Sequence, residues 1–153
     1  MIEKLQNNDI EVSKKIYSVF QSSYKIEAEL LNAIDFPPLK RPLENYVNSD
    51  TTFFGYLKDK ELAGVIEISH NKNFTHINSL VVSPSFFRQG VARKLMEFVL
   101  NTFDSKLFVV ETGVDNGPAS ELYKKFNFKE VKQWDTDHGV RKIKFELRIN
   151  ASV

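Results

Sequence analysis

The sequence of 153 residues contains no cysteine. That excludes a disulfide framework and a zinc–thiolate site. It also excludes any mechanism that parks a transferred group on an enzyme thiol. Histidine is scarce: His70, His76 and His138 are scattered without metal-ligand spacing, so no metal site is expected. No charge sign dominates, since 21 Lys and Arg against 20 Asp and Glu leave a formal charge of +1. Such a balance supplies no long-range field for nucleic acid or an anionic membrane, and neither is an expected partner. No run approaches the roughly 20 apolar residues of a membrane span. The opening segment Met1–Glu11 carries acidic residues and no apolar core, unlike a signal peptide, so the expected location is the cytoplasm.

The length suits one domain over residues 1–153. Such a chain buries roughly 68–70% of the surface it exposes when unfolded. With 42% hydrophobic and 27% charged residues the composition is that of a globular protein, and thirteen Phe imply an aromatic-rich core.

Asp9 is placed to cap a helix in which Val12, Ile16, Val19 and Phe20 recur at helical spacing. The pattern runs on through Lys25–Ile34 and stops at Phe36-Pro37-Pro38, where proline disfavours helix. Pro42 can open a short second helix. Three strand-like runs follow, Thr51–Leu57, Leu62–Ser69 and Phe74–Val82, joined by short polar turns and therefore antiparallel. After Pro84, apolar positions Ala92, Leu95, Met96, Val99, Leu100 and Phe103 predict an amphipathic helix. A β-rich run Lys106–Thr112, a helix Pro118–Phe126, a strand Lys129–Trp134 and a last strand through Ile143, Phe145, Leu147 and Ile149 complete the chain. The order predicts a mixed α/β sheet with helices on its faces.

Two segments point to chemistry. In Arg88-Gln89-Gly90-Val91-Ala92-Arg93 a strand passes through a tight loop into a helix. The first N–H groups of a helix lack internal partners and carry partial positive charge, so a phosphate fits there. Gly90 permits close backbone approach, Ala92 keeps the first turn narrow, and Arg88 and Arg93 add charge at the rim. An ordinary helix start with a glycine turn would look similar, and neither G-x-x-x-x-G-K-[ST] nor G-x-G-x-x-G is present. In the second segment, Asn116-Gly117-Pro118-Ala119 is a well-formed helix start and Asn127 suits a left-handed C-terminal position. Tyr123 shares the apolar face with Ala119 and Phe126, so its phenol needs either a core partner or a function.

Together these segments resemble the GNAT acetyltransferase superfamily. That family has a [Q/R]-x-x-G-x-[G/A] loop after its fourth strand, here Phe87-Arg88-Gln89-Gly90-Val91-Ala92. It has an N-x-x-A-x-x-L-Y-x-x-x-[G/N]-F helix further on, here Asn116 to Phe128. Leu80-Val81-Val82-Ser83-Pro84 looks like its fourth strand. The close resemblance covers Ile77–Phe128. Phe87 departs from the usual Arg or Gln, and Asn127 replaces the commoner Gly.

The resemblance implies a mostly antiparallel sheet of six to seven strands, with helices on both faces and a splay between strands 4 and 5. It implies acetyl-CoA or another acyl-CoA as cosubstrate, an amine acceptor, and no metal; homodimers are common among such folds. The diphosphate would lie on the amides of Arg88, Gln89, Gly90, Val91, Ala92 and Arg93. The pantetheine arm would pair with Leu80, Val81 and Val82, and meet Asn116 and Ala119. Tyr123 would face the thioester sulfur as general acid, and the Val82 amide would receive the oxyanion. A base acting through water, or no dedicated base, is the leading reading; His76 is the first named candidate, with Glu67 and Glu111 behind it. Tyr24, Glu27, Phe36 and the stretch Pro37–Arg41 would wall the acceptor pocket, where Glu27 and Asp35 can attract a cation. An active N-acetyltransferase is the leading expectation and a catalytically silent CoA-binding sensor the alternative. Acetylation of aminoacyl-tRNA would call for a strongly basic surface.

Overall fold

The computed structural model describes residues 1–149. A short strand β1 (Ile2–Leu5) precedes helix α1 (Ile10–Leu30), which Asp9 caps by accepting from the Glu11 amide at 2.9 Å. The helix ends earlier than the apolar pattern suggests. Asn32 adopts a left-handed φ of 54°, and the Ala33 amide closes back onto the Ala28 carbonyl at 2.9 Å. This is a C-terminal cap that stops the helix before the prolines are reached. A 3₁₀ turn (Pro37–Lys40) and helix α2 (Leu43–Val47) follow, with Pro42 at the N-cap position.

Strands β2 (Thr52–Lys58), β3 (Glu61–His70) and β4 (Thr75–Val82) form the expected antiparallel hairpins. Asp59 and Lys60 both take positive φ, as a two-residue turn matched to strand twist requires. Helix α3 (Val91–Thr102), strand β5 (Leu107–Gly113), helix α4 (Gly117–Lys125) and strands β6 (Lys129–Asp135) and β7 (Arg141–Arg148) complete the order. Asn127 is left-handed with φ 70°, and the Phe128 amide reaches back to the Tyr123 carbonyl at 3.0 Å.

Among the described residues seven strands form one sheet in the order β1-β2-β3-β4-β5-β7-β6. All pairs are antiparallel except β4 with β5. The opening segment, too polar to read as a strand, pairs along the β2 edge through Ile2↔Tyr56 to Leu5↔Phe53. Alternation along the central strands divides the core in two. Phe54, Ile66 and Ile68 face Leu95, Met96, Val99 and Tyr123 of α3 and α4. Phe53, Val65 and Val81 face Ile16, Val19 and Phe20 of α1, with Tyr46 of α2.

Two features place the site. The register of β3 on β4 shifts between Glu67↔Ser79 and Ile68↔Ile77, so Asn78 is an extra, bulged residue. Strand β4 then pairs with β5 only at Thr75↔Phe108, His76↔Val109 and Ile77↔Val110. Beyond Ile77 the two strands part, which is the splay.

Helix α3 seats closely on β3 at Gly64. A Cβ there would lie 2.6 Å from Val91 Cγ1, 3.1 Å from the Val81 carbonyl oxygen and 3.2 Å from Leu95 Cδ1. Overpacking that moves backbone costs about 1–3 kcal/mol. Gly64→Ala is therefore expected to lower stability by about that amount, read as a shift of the urea midpoint. An unchanged midpoint would show that α3 can retreat freely from the sheet.

Candidate active site

The parting of β4 and β5 exposes backbone groups in a defined way. The Ser83 amide donates to the Ala63 carbonyl at 2.8 Å, which fixes the hydrogen-bonding phase of the antiparallel pair. Because N–H direction alternates along a strand, the amides of Leu80 and Val82 point away from β3, into the splay. Val81, lying between them, points its amide to β3 and packs its side chain in the α1-side core.

Where β4 ends, Pro84–Phe86 form one 3₁₀ turn, and the chain reaches α3 through Arg88 (φ 63°) and Gly90 (φ 76°). Gly90 is the N-cap and offers no side chain to the first-turn amides. Val91, Ala92 and Arg93 thus have no intrahelical acceptors, and these are the amides an anion would meet. A Cβ on Gly90 would meet only the Arg93 guanidinium, 3.4 Å away, so the φ rather than crowding demands glycine. Lys58 hydrogen-bonds the Gln89 side chain, and Lys94 reaches the Tyr56 hydroxyl at 3.2 Å, so cations ring this loop. The donor set suits a diphosphate. Phe87 stands 40% exposed at the lip of the loop.

A cavity of about 290 Å³ occupies the splay. Its walls include Asn78, Ser79 and Leu80 of β4, Glu111 and Thr112 of β5, and Tyr24 and Glu27 of α1; Asn116, Ala119 and Tyr123 close it from α4. Phe36, Pro38 and Arg41 border it as well. Of the sequence-predicted residues, Leu80, Asn116, Ala119 and Tyr123 thus share one space with Glu111 and the acceptor-side Tyr24, Glu27, Phe36, Pro38 and Arg41. Val81 and Val82 lie along the same strand, and Arg88–Arg93 form the separate anion cradle. His76 falls outside the lining. It sits where β4 and β5 are still paired, between Ser69 and Val109. Asp35 likewise lies outside the cavity and pairs with Lys40 at 2.5 Å.

Tyr123 is 4% exposed and packs against Phe128 and Phe145. Burial, helped by the charge of Glu27, holds its phenol well above the ordinary tyrosine range. Tyr24 is held high for the same main reason, with the Ser79 hydroxyl pulling the other way. Burial also raises the Glu27 carboxyl, against the opposing influence of Lys142 and of the Asn116 amide, which donates to it at 2.9 Å.

The sequence concealed one network. Glu67, 2% exposed, receives both Nη groups of Arg41 at 2.8 and 3.0 Å, the Thr51 hydroxyl at 2.8 Å and the Ser79 hydroxyl at 3.1 Å. Arg41 also lies over the Tyr46 ring, 4.0 Å from its centroid. Burial pushes the Tyr46 phenol up to about 12, with the Arg41 charge pulling the other way and Glu67 adding to the rise. A carboxylate so fully engaged has no lone pair free for an incoming proton, so Glu67 drops out as a base. What it does instead is staple the loop before α2 to the bulged strand. Hydrophobic spacing carries no trace of such a pair; the one signal was a Glu in an otherwise apolar strand.

The site therefore combines a parted parallel strand pair, a set of free amides at a helix start and a buried tyrosine across the gap. A family model described as an acetyltransferase (GNAT) domain matches residues 26–149, and the chain belongs to that family. UPF0157 protein YqkA of Bacillus subtilis is 31% identical over 148 residues, covering 96% of this chain and 43% of that protein. An N-alpha-acetyltransferase of Sulfolobus acidocaldarius is 34% identical over 85 residues, 51% of each chain. The chain thus spans about half or less of the length of these curated relatives. The crystal structure of PaiA N-acetyltransferase from Thermoplasma acidophilum in complex with coenzyme A superposes with a TM-score of 0.72 at 19% identity, covering 97% of this chain and 99% of that one. Among the described residues no helix is long and apolar enough to cross a membrane.

Removing one partner of a buried ion pair leaves an uncompensated charge and costs about 3–5 kcal/mol. Arg41→Ala is expected to destabilise the fold by about that much, and Arg41→Lys by less, because the charge stays while the fork is lost. Chemical denaturation of both variants checks this; equal losses would mean that geometry, not charge, matters.

Proposed function

We propose that this chain transfers an acetyl group from acetyl-CoA directly to a primary amine, without a covalent enzyme intermediate. The observation that carries the reading is the splay, with the Leu80 and Val82 amides turned into it and Tyr123 across the same cavity. Acetyl-CoA supplies the activated acyl carbon. The amides of Arg88–Arg93 hold the diphosphate, and Leu80–Val82 offer one strand edge to the pantetheine arm, with Asn116 and Ala119 bordering it. The Val82 amide stabilises negative charge developing on the acyl oxygen. Tyr123, kept protonated by burial, donates toward the departing sulfur.

The acceptor enters from the α1 side, past Tyr24, Glu27 and Phe36. It must arrive neutral. For a lysine-like amine, with a pKa near 10.4, deprotonation at pH 7 costs roughly 4.6 kcal/mol; for an α-amino group it costs about 1 kcal/mol. Glu67 is engaged, His76 lies beyond the lining, and Glu111 is an exposed carboxylate on the cavity wall. We therefore assign proton removal to Glu111, through water, in preference to His76. A site with so modest a base suits an α-amino acceptor, the group named for the Sulfolobus relative.

The test is thiol release from acetyl-CoA over a panel of α-amines and ε-amines, beside calorimetric titration with acetyl-CoA. Turnover with an α-amine is expected. Binding without turnover across the panel would leave a silent CoA-binding module, and no binding would end both readings. Tyr123→Phe is expected to lower kcat by about 10- to 100-fold, the worth of one hydrogen bond to a charged group, with acetyl-CoA affinity nearly unchanged. An unaltered kcat would remove Tyr123 from the acid role.

The pH profile has a defined sign. Raising a phenol's pKa keeps it protonated to higher pH, so the acid form of Tyr123 persists through pH 10. Below the α-amine pKa of about 7.8 the rate should climb about tenfold per pH unit, then level off. A descending limb beginning below about pH 9.5 would contradict a buried tyrosine as the acid.

A further inference from the structure

A hydrogen bond joins Glu27 of the acceptor wall to Asn116 beside the pantetheine arm, and the reaction proposed above gives that bond no role. Helix α1 packs on one face of the sheet and α4 on the other. Glu27 of α1 and Asn116 at the start of α4, 89 positions apart in sequence, meet at 2.9 Å where the cavity opens between β4 and β5. Asn116 is 8% exposed and its carboxamide is in full use. Its Nδ2 donates to Glu27 and, at 3.4 Å, to the Thr112 hydroxyl; its Oδ1 accepts from the Ala119 amide at 3.3 Å and so caps α4. One turn beyond Glu27, Leu31 presses on β5. A Cβ on Gly113 would lie 2.7 Å from Leu31 Cδ2, so Leu31, just past the end of α1, is seated directly on the glycine backbone of β5. Tyr123 lies seven residues after Asn116, on the same side of α4, and the charge of Glu27 is felt at its phenol.

We propose that Glu27 is a positioning residue for Tyr123. By holding the Asn116 carboxamide across the splay it fixes the α4 N-terminus, and with it the phenol, relative to the wall that receives the acceptor. Glu27 thereby couples the acceptor side to the acid side of the site. The kinetic part of this inference rests on the acetyl-transfer reading; the mechanical part does not. The hydrogen bond needs an acceptor oxygen, which Gln supplies and Ala does not. The design also predicts that a disturbance at Glu27 matters to chemistry only while Tyr123 has a proton to place.

The experiment compares the full chain as wild type, Glu27→Ala, Glu27→Gln and Tyr123→Phe, with each Glu27 variant also combined with Tyr123→Phe. Steady-state kinetics use the best amine from the panel, and backbone hydrogen exchange is followed over residues 117–123. Losing a hydrogen bond to a charged group corresponds to about a tenfold or larger effect. Glu27→Ala is therefore expected to lower kcat by about tenfold with the KM for acetyl-CoA little changed. Glu27→Gln should recover most of that loss, and Glu27→Ala should cost nothing further in the Tyr123→Phe background. Exchange over 117–123 should quicken in Glu27→Ala and not in Glu27→Gln.

Equal kcat losses in Glu27→Gln and Glu27→Ala would overturn the proposal by making charge the operative property. A full additional loss in the Tyr123→Phe background would overturn it by placing Glu27 outside Tyr123's pathway. Unchanged exchange in Glu27→Ala would overturn the tie itself, even if the wild type turned over no amine. A wild type that binds acetyl-CoA without turnover defeats the reading of the preceding section, and the exchange data then decide the tie alone.

Discussion

The cavity between the two helix layers depends on two strands that begin as neighbours and then separate. Parallel pairing holds β4 to β5 for three residue pairs, Thr75↔Phe108 to Ile77↔Val110, and ends where Asn78 bulges. An unbroken ladder would satisfy every amide and leave no cavity. Parting the strands leaves the Leu80 and Val82 amides without sheet partners, and a buried amide with no acceptor is costly. The bulge resolves the conflict by turning that costly edge toward an open space, where water or an extended ligand arm can accept. The helices on the two faces then make the opening a cleft with two distinct sides.

Charge inside the cleft is arranged unevenly. Glu67 lies deeper than Glu27, yet four hydrogen bonds, two of them from the Arg41 fork, satisfy it completely. Its role is to hold the loop before α2 and the bulged strand in one frame. Glu27 has one amide donor and a distant lysine, and burial raises its pKa. The two acids therefore make different ties, Glu67 to the loop before α2 and Glu27 to the start of α4, although their sequence contexts do not distinguish them.

How far the sequence could be read follows from which interactions are local. Helix α3, its cradle at Gly90, the Asn116 cap and the left-handed Asn127 depend on residues a few positions apart, and all were legible. The end of α1 was misread because the cap at Asn32 acts before the prolines whose signal is stronger. Strand β1 was missed because Glu3 and Lys4 are polar and only edge pairing with Phe53–Tyr56 makes the segment a strand. The Arg41–Glu67 fork and the Glu27–Asn116 bond join positions far apart in the chain, which no periodicity encodes. The place of His76 is equally non-local: it is still paired on both sides, with Ser69 and Val109, before the splay opens beyond Ile77.

Burial also constrains how Tyr123 can act in the proposed reaction. A free thiol has a pKa near 8.5 and an ordinary phenol near 10, so moving a proton from tyrosine to a thiolate is uphill by about 2 kcal/mol before burial is counted. Burial and the charge of Glu27 raise the phenol further. A completed transfer is thus disfavoured as an isolated step. A hydrogen bond that strengthens as charge gathers on sulfur has no such penalty, and it is worth most in a dry, aromatic enclosure like that formed by Phe128 and Phe145. The proton that finally reaches the sulfur can come from the ammonium formed by the attack, a stronger acid than the buried phenol. On this argument Tyr123 contributes chiefly a fixed dipole aimed at the leaving group, and its placement matters more than its acidity.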